Sequence, residues 1–110
     1  MIVRIWRATA TPEGANGYRQ HFEGNVLPEL KSLTGFLKAY LLTREHDGTV
    51  DIGVHTLWAS IEAVRAFAGS DLESAVVEPH AKAVLTSYDT TVTHFAAIEY
   101  QSQPKGASRR

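Results

Sequence analysis

The sequence contains no cysteine, which removes disulfides, thiolate metal centres, CxxC redox chemistry and a thiol nucleophile together. It also lacks an excess of positive charge: 11 Lys and Arg face 12 Asp and Glu, for a formal net charge of -1. A chain so balanced projects no field that would draw it to a phosphate backbone or an anionic bilayer, so neither nucleic acid nor membrane is expected as a partner. No apolar run approaches the length of a membrane span. His21, His46, His55, His80 and His94 fall into no HxH or HExxH spacing and no carboxylate cluster is evident, so no metal is expected. Serine-nucleophile, phosphate-loop and dinucleotide signatures are missing too. The run Ile2-Val3-Arg4-Ile5-Trp6-Arg7 carries basic residues and has no small-residue cleavage pattern. It reads as a strand rather than a signal peptide, with cytoplasmic residence as the expectation.

What is present suits one small core: 110 residues, 44% hydrophobic and 21% charged. Met1 to Ala10 is rich in β-branched and aromatic residues, with Ile2, Arg4, Trp6 and Ala8 on one face of a strand and Val3, Ile5, Arg7 and Thr9 on the other. Thr11-Pro12-Glu13 supplies a capping hydroxyl, a proline where no helical N–H is needed and an acid at the positive helix end. Tyr18, Phe22, Val26, Leu30 and Leu33 form the buried stripe of that helix, and Pro28 splits it near Asn25.

Gly35 ends the second piece, and two β-rich runs, Phe36 to Glu45 and Thr49 to Trp58, flank the hairpin signal Asp47-Gly48. That turn pairs Tyr40 with His55 and Arg44 with Asp51, and gathers Leu37, Leu41, Val50, Ile52, Val54 and Trp58 on the opposite face. Ser60 opens a helix that Gly69 closes. Leu72, Val76 and Val77, then Ala81, Val84 and Leu85, predict two short helical pieces separated near Pro79. Thr91 to Tyr100 returns to β character, with Val92, His94, Ala96 and Ile98 on one face. The domain is expected over 1–101, with a polar, flexible tail at 102–110.

Strand, helix, strand, strand, helix, strand is the split βαβ order of an α+β, ferredoxin-like fold, an antiparallel sheet with helices on one face. The uncovered face would carry Phe36, Tyr40, Leu42 and Leu57. That is too much apolar area to leave wet, so a homodimer through the sheet face is expected.

The opening strand, Leu27-Pro28-Glu29-Leu30 before Gly35-Phe36, Leu57-Trp58-Ala59-Ser60-Ile61-Glu62-Ala63, Phe67-Ala68-Gly69 and Val92-Thr93-His94-Phe95 together resemble the antibiotic biosynthesis monooxygenase family, the dimeric α/β barrel group, over most of the chain. The resemblance implies two ferredoxin-like subunits sharing a barrel, each with a ligand cavity between sheet and helices that Trp58 would line. The family includes cofactor-free quinol and anthrone oxygenases, heme-degrading enzymes and members without an assigned activity. Its heme-degrading branch adds an asparagine on the first strand and a histidine on the helix after the tryptophan. Here the first strand has no asparagine, and His80 lies only approximately at the histidine position.

Three residues are candidates for catalysis. His80 offers an imidazole that titrates near neutrality, or else a solvent-facing loop residue. His94 on the last strand either meets substrate or ties the sheet together. Tyr88 presents a phenol to a bound ring or simply packs. Trp58, Phe22 and Phe67 are the expected aromatic lining of a substrate site, with Arg4 as a partner for an anionic phenolate or, more plainly, a member of a structural ion pair. His55 beside Tyr40 is a cross-strand pair. These residues suit a monooxygenase without cofactor, acting on a small electron-rich aromatic of the quinol or anthrone type. The alternatives are a non-catalytic dimeric binding or stress-response protein for a hydrophobic ligand, and a heme-binding or heme-degrading relative.

Overall fold

The computed structural model describes residues 1–102, so the expected tail lies, beyond Ser102, outside the described residues. Strand β1 (Ile2–Ala10) occupies the middle of an antiparallel sheet. On one side it pairs with β3 (Thr49–Trp58), which in turn pairs with the edge strand β2 (Phe36–His46). On the other side it pairs with two short strands in succession, β4 (Ser87–Tyr88) and β5 (Thr93–Ala96). The helices cover the face that carries Arg4, Trp6, Ala8 and Ala10, and the core forms there with Val50, Ile52, Val54 and Trp58. This is the ferredoxin-like α+β arrangement the element order implied.

Helix α1 (Pro12–His21) begins as its sequence signals require: the Thr11 hydroxyl accepts from the Gly14 N–H at 3.0 Å, with Pro12 in the first turn. Its continuation differs from the expected split. Phe22–Val26 forms a π-helical turn, in which the Leu27 N–H reaches the Phe22 carbonyl, and α2 (Leu27–Lys31) follows with Pro28 in its first turn. Pro28 has no N–H for the carbonyl four residues earlier and its ring crowds that carbonyl, so the helix widens by one residue instead of breaking. His21 and Phe22, three and four residues after Tyr18, are both buried where the regular helix meets this turn.

In the hairpin, Tyr40 pairs with His55 and Arg44 with Asp51, through a turn in which Asp47 and Gly48 take φ of 51° and 76°. A bulge between Phe36 and Lys38 corrects the expected faces near the strand start. One extra residue inverts the alternation. Phe36 therefore turns to the helix side and meets Trp58 edge-on at 5.4 Å, whereas Leu37 is half exposed.

Helix α3 (Ile61–Ala68) is capped by the Ser60 hydroxyl and ends at Gly69 with φ 81°. Of the two helical pieces expected next, only α4 (Pro79–Val84) forms, and Pro79 starts it instead of separating two. Residue Glu78, preceding proline, is extended. The stretch 70–78 is an irregular cover in which Ser74 bridges Thr91. The last strand is interrupted to meet it: Ala75 N–H donates to the Thr90 carbonyl at 2.9 Å and Val92 N–H to the Glu73 carbonyl at 2.8 Å. β5 stops at Ala96, leaving Ile98 77% exposed.

Gly35 holds φ 91°, and a Cβ there would sit 2.5 Å from the Ala63 Cβ. Gly35→Ala is expected to cost about 2 kcal/mol in urea unfolding, combining left-handed strain with overpacking. At Gly24 an added Cβ meets nothing within 4 Å. Gly24→Ala is expected to leave the urea midpoint unchanged or slightly raised.

Candidate functional site

Between the helix-side face of the sheet and the helices lies a narrow cleft of about 50 Å³, walled by Trp6, Tyr18, Phe22 and Phe67 and roofed by Val76, Val77 and Glu78 of the cover. Two larger concavities are open-sided. One, of about 680 Å³, lies on the uncovered sheet face with Arg7, Arg44, Asp51 and His55. The other, of about 530 Å³, runs between α1 and β2. The enclosed cleft is the one that combines aromatic walls with a buried charge, the combination expected of a ligand site.

That charge is Arg4, 4% exposed. β1 alternation turns its side chain toward the helices. Nη1 donates to the Leu72 carbonyl at 2.7 Å and to His94 Nε2 at 3.0 Å, Nη2 donates to the Ser74 carbonyl at 3.0 Å, and the guanidinium carbon lies 5.8 Å from the centre of the Phe67 ring. Among the described residues no carboxylate lies within ion-pairing distance of it. Burial lowers its pKa to about 10. A guanidinium only donates, so His94 Nε2 must accept, which makes His94 neutral with its hydrogen on Nδ1. Burial, then the Arg4 charge, holds the His94 pKa below its usual 6.5, with Glu73 opposing.

His21 enters from α1 with its side chain 3% exposed. Its Nδ1 lies 3.1 Å from Asn25 Nδ2, its Nε2 lies 3.5 Å from Glu78 Oε1, and His80 stacks on it from outside with ring centres 5.2 Å apart. Tyr18, alongside at 6.1 Å, has its phenol pushed up by burial first and by Glu78 second. The phenol therefore stays protonated across the ordinary pH range.

Of the residues singled out from sequence, Arg4, Phe22 and Phe67 come together in the cleft wall. Trp58 is fully buried one layer behind it: its indole N–H donates to Thr56 Oγ1 at 2.9 Å, its ring lies 6.1 Å from Phe67, and Thr56 faces the cleft in its place. His94 stands beside Arg4, its acceptor lone pair already used. His80 is exposed on α4, outside the wall, and Tyr88, paired with Ala8 on the helix side, packs half-buried against the core without lining the cleft. His55 sits across from Tyr40 on the uncovered sheet face. Sequence reasoning passed over His21. The signal was there, since His21 and Asn25 follow Tyr18 by three and seven residues and flank the stripe Tyr18, Phe22, Val26.

The antibiotic biosynthesis monooxygenase family model matches residues 1–86. No match is found among curated proteins. Several solved structures share the fold. A putative antibiotic biosynthesis monooxygenase from Bacillus cereus is 17% identical with TM-score 0.65, covering 94% of this chain and 98% of that one. SnoaB, a cofactor-independent oxygenase from Streptomyces nogalater, is 19% identical with TM-score 0.57, covering 93% and 98%. The heme-degrader MhuD from Mycobacterium tuberculosis, with two hemes bound in its active site, is 24% identical with TM-score 0.57, covering 93% and 100%.

The Arg4–His94 contact makes stability depend on pH in a defined direction. Because the folded protein holds the His94 pKa below 6.5, the unfolded chain takes up that proton first. Stability is therefore full above the unfolded pKa and declines as pH falls through the folded one. Urea midpoints measured at roughly pH 7.5 and 5.5 should show this decline, and His94→Gln, which still offers Arg4 an acceptor, should flatten it. An equal decline in the variant would assign it to another group.

Proposed function

The chain belongs to the antibiotic biosynthesis monooxygenase family, and from that membership and the geometry of the cleft we propose that it oxidises a small electron-rich aromatic, of the quinol or anthrone type, without a cofactor. The observation that carries this reading is Arg4, a buried cation in an aromatic cleft with no carboxylate within ion-pairing distance among the described residues. Glu78, the acid of the cleft lining, faces His21 instead. With no ion-pair partner, the guanidinium favours an anionic occupant, and desolvation strengthens that attraction.

For an anthrone the net change turns a ring methylene and one molecule of dioxygen into a ring carbonyl and one molecule of water. Deprotonation gives an anion whose charge rests on the ring oxygen, and this electron-rich species passes an electron to dioxygen. Recombination at carbon forms a peroxide, and loss of water leaves the carbonyl. The residues of the chain hold the anion at Arg4, enclose the ring between Trp6, Tyr18, Phe22 and Phe67, and keep water out. Trp58 braces that wall from behind through Thr56. The cleft is smaller than such a ring system, so entry requires Val76 and Val77 to swing outward.

A porphyrin fits this site poorly. As it stands the cleft is smaller than either ring system, and what counts against the porphyrin is that His80, the nearest position to an axial histidine, is exposed and stacked against His21 on the outside. The uncovered sheet face, with Tyr40 53%, Leu42 46% and Phe95 54% exposed, supports a symmetric homodimer in which two such faces meet.

Oxygen uptake by flavin-free and metal-free protein, measured across a panel of quinols and anthrones, tests the reading. Turnover is expected, with Arg4→Met lowering kcat/KM by roughly 10²- to 10³-fold, the scale of losing one oxyanion partner. Saturable binding of these compounds with no oxygen uptake would leave a binding protein instead.

A further inference from the structure

We propose that His21 is the catalytic residue that takes the substrate proton, with Glu78 as the positioning residue that faces its imidazolium. This rests on the oxygenase reading of the same cleft and supplies the base that reading requires.

Among the described residues His21 is the one imidazole in the cleft wall. His94 has spent its Nε2 lone pair on Arg4, and His80 lies outside. The His21 side chain is almost wholly buried, so whatever fills the cleft becomes its solvent. Its Nε2 sits 3.5 Å from the Glu78 carboxylate, too long for a strong hydrogen bond, which leaves that nitrogen free to engage a substrate O–H or acidic C–H. Asn25 sets the tautomer. The Asn25 amide meets Nδ1 through Nδ2 at 3.1 Å; turned by 180° in the same place, it presents its oxygen to Nδ1, which puts the hydrogen on Nδ1 and leaves Nε2 a bare lone pair.

The step balances within the cleft. The substrate O–H or C–H bond breaks, an Nε2–H bond forms, and the electron pair stays on the substrate as an anion that Arg4 receives. The imidazolium that results is flanked by the Asn25 side-chain amide and the Glu78 carboxylate, while the other groups facing His21 are the Tyr18 phenol of its own helix, the His80 ring and, from β1, the Arg4 cation of the same wall. Each ring nitrogen of the imidazolium thus has a polar side chain beside it, Asn25 at Nδ1 and Glu78 near Nε2.

Two measurements test this. In turnover, His21→Gln is expected to lower kcat by about 100-fold and to abolish the acidic limb of the pH–rate profile, with partial rescue by added imidazole. Glu78→Gln should keep most activity but move that limb to lower pH, because the imidazolium loses its anion. His46→Gln, at the hairpin, should change neither. The second measurement needs no turnover: binding of 4-cyanophenol at about pH 7.5, followed by phenolate absorbance and by proton release to the buffer. In the wild type the phenolate should form with no proton released, because His21 keeps it. In His21→Gln each phenolate formed should release one proton. If His21→Gln retains kcat within about threefold and the same acidic limb, or releases no more protons than the wild type, the assignment is overturned while the oxygenase reading stands. If no quinol or anthrone is turned over but proton-neutral phenolate formation is lost in His21→Gln, the assignment stands and the oxygenase reading falls.

Discussion

A guanidinium buried without a carboxylate governs much of this structure. Removing Arg4 from water is expensive, and the fold offsets that cost with neutral partners only: two backbone carbonyls, an imidazole lone pair and an aromatic face. The hydrogen-bonded partners among these come from chain positions far away, 68 to 90 residues along. Meeting them draws the 72–74 backbone against β1 and sets β5 beside it. The same bonds explain why the cover is irregular. Carbonyls at Leu72 and Ser74 that a helix would have used internally are committed to Arg4, and the residue before Pro79 is held extended.

The second constraint is local and comes from Pro28. The widened turn comes after His21 and Phe22 have followed Tyr18 at the three- and four-residue spacing of a regular α-helix, so it changes the phase with which Val26 and Leu30 reach the same wall. The cover is then pinned near its start, where Arg4 holds the Leu72 and Ser74 carbonyls, and only faced near its end, where Glu78 lies 3.5 Å from His21. Whatever enters must disturb one of those contacts.

How far the sequence discloses this follows from the range of the interactions involved. The β1 alternation, the Thr11-Pro12 helix start, the Asp47-Gly48 hairpin with its register, and the helix between Ser60 and Gly69 are all encoded within a few residues, and all were legible. The bulge at Leu37, the cover and the interruption of the last strand were not. Each depends on partners distant in the chain, so periodicity in Leu72, Val76 and Val77 pointed to a helix that tertiary hydrogen bonds override. In the site, the face of β1 placed Arg4, and helical spacing placed Phe22. The layer that separates Trp58 from the cleft could not be read from its position at a strand end, because Thr56 two residues earlier shares its face and stands in front.

The two histidines of the site work against different neighbours, and that contrast gives the cleft its polarity. His94 beside the Arg4 cation is kept neutral by it, whereas His21 faces the Glu78 carboxylate. A lysine in place of Arg4 would not reproduce this. Its ammonium is a compact, strongly hydrated point charge that sheds its proton more readily when buried, and it cannot hold two carbonyls and an imidazole in one planar fork. The guanidinium remains charged even with its pKa lowered to about 10. It therefore presents a fixed positive field to the cleft throughout the range in which a histidine titrates. A molecule that must lose a proton on one atom and carry the resulting charge on another would find a proton acceptor and a cation in the same dry, aromatic enclosure, already oriented by bonds that the fold makes for its own stability.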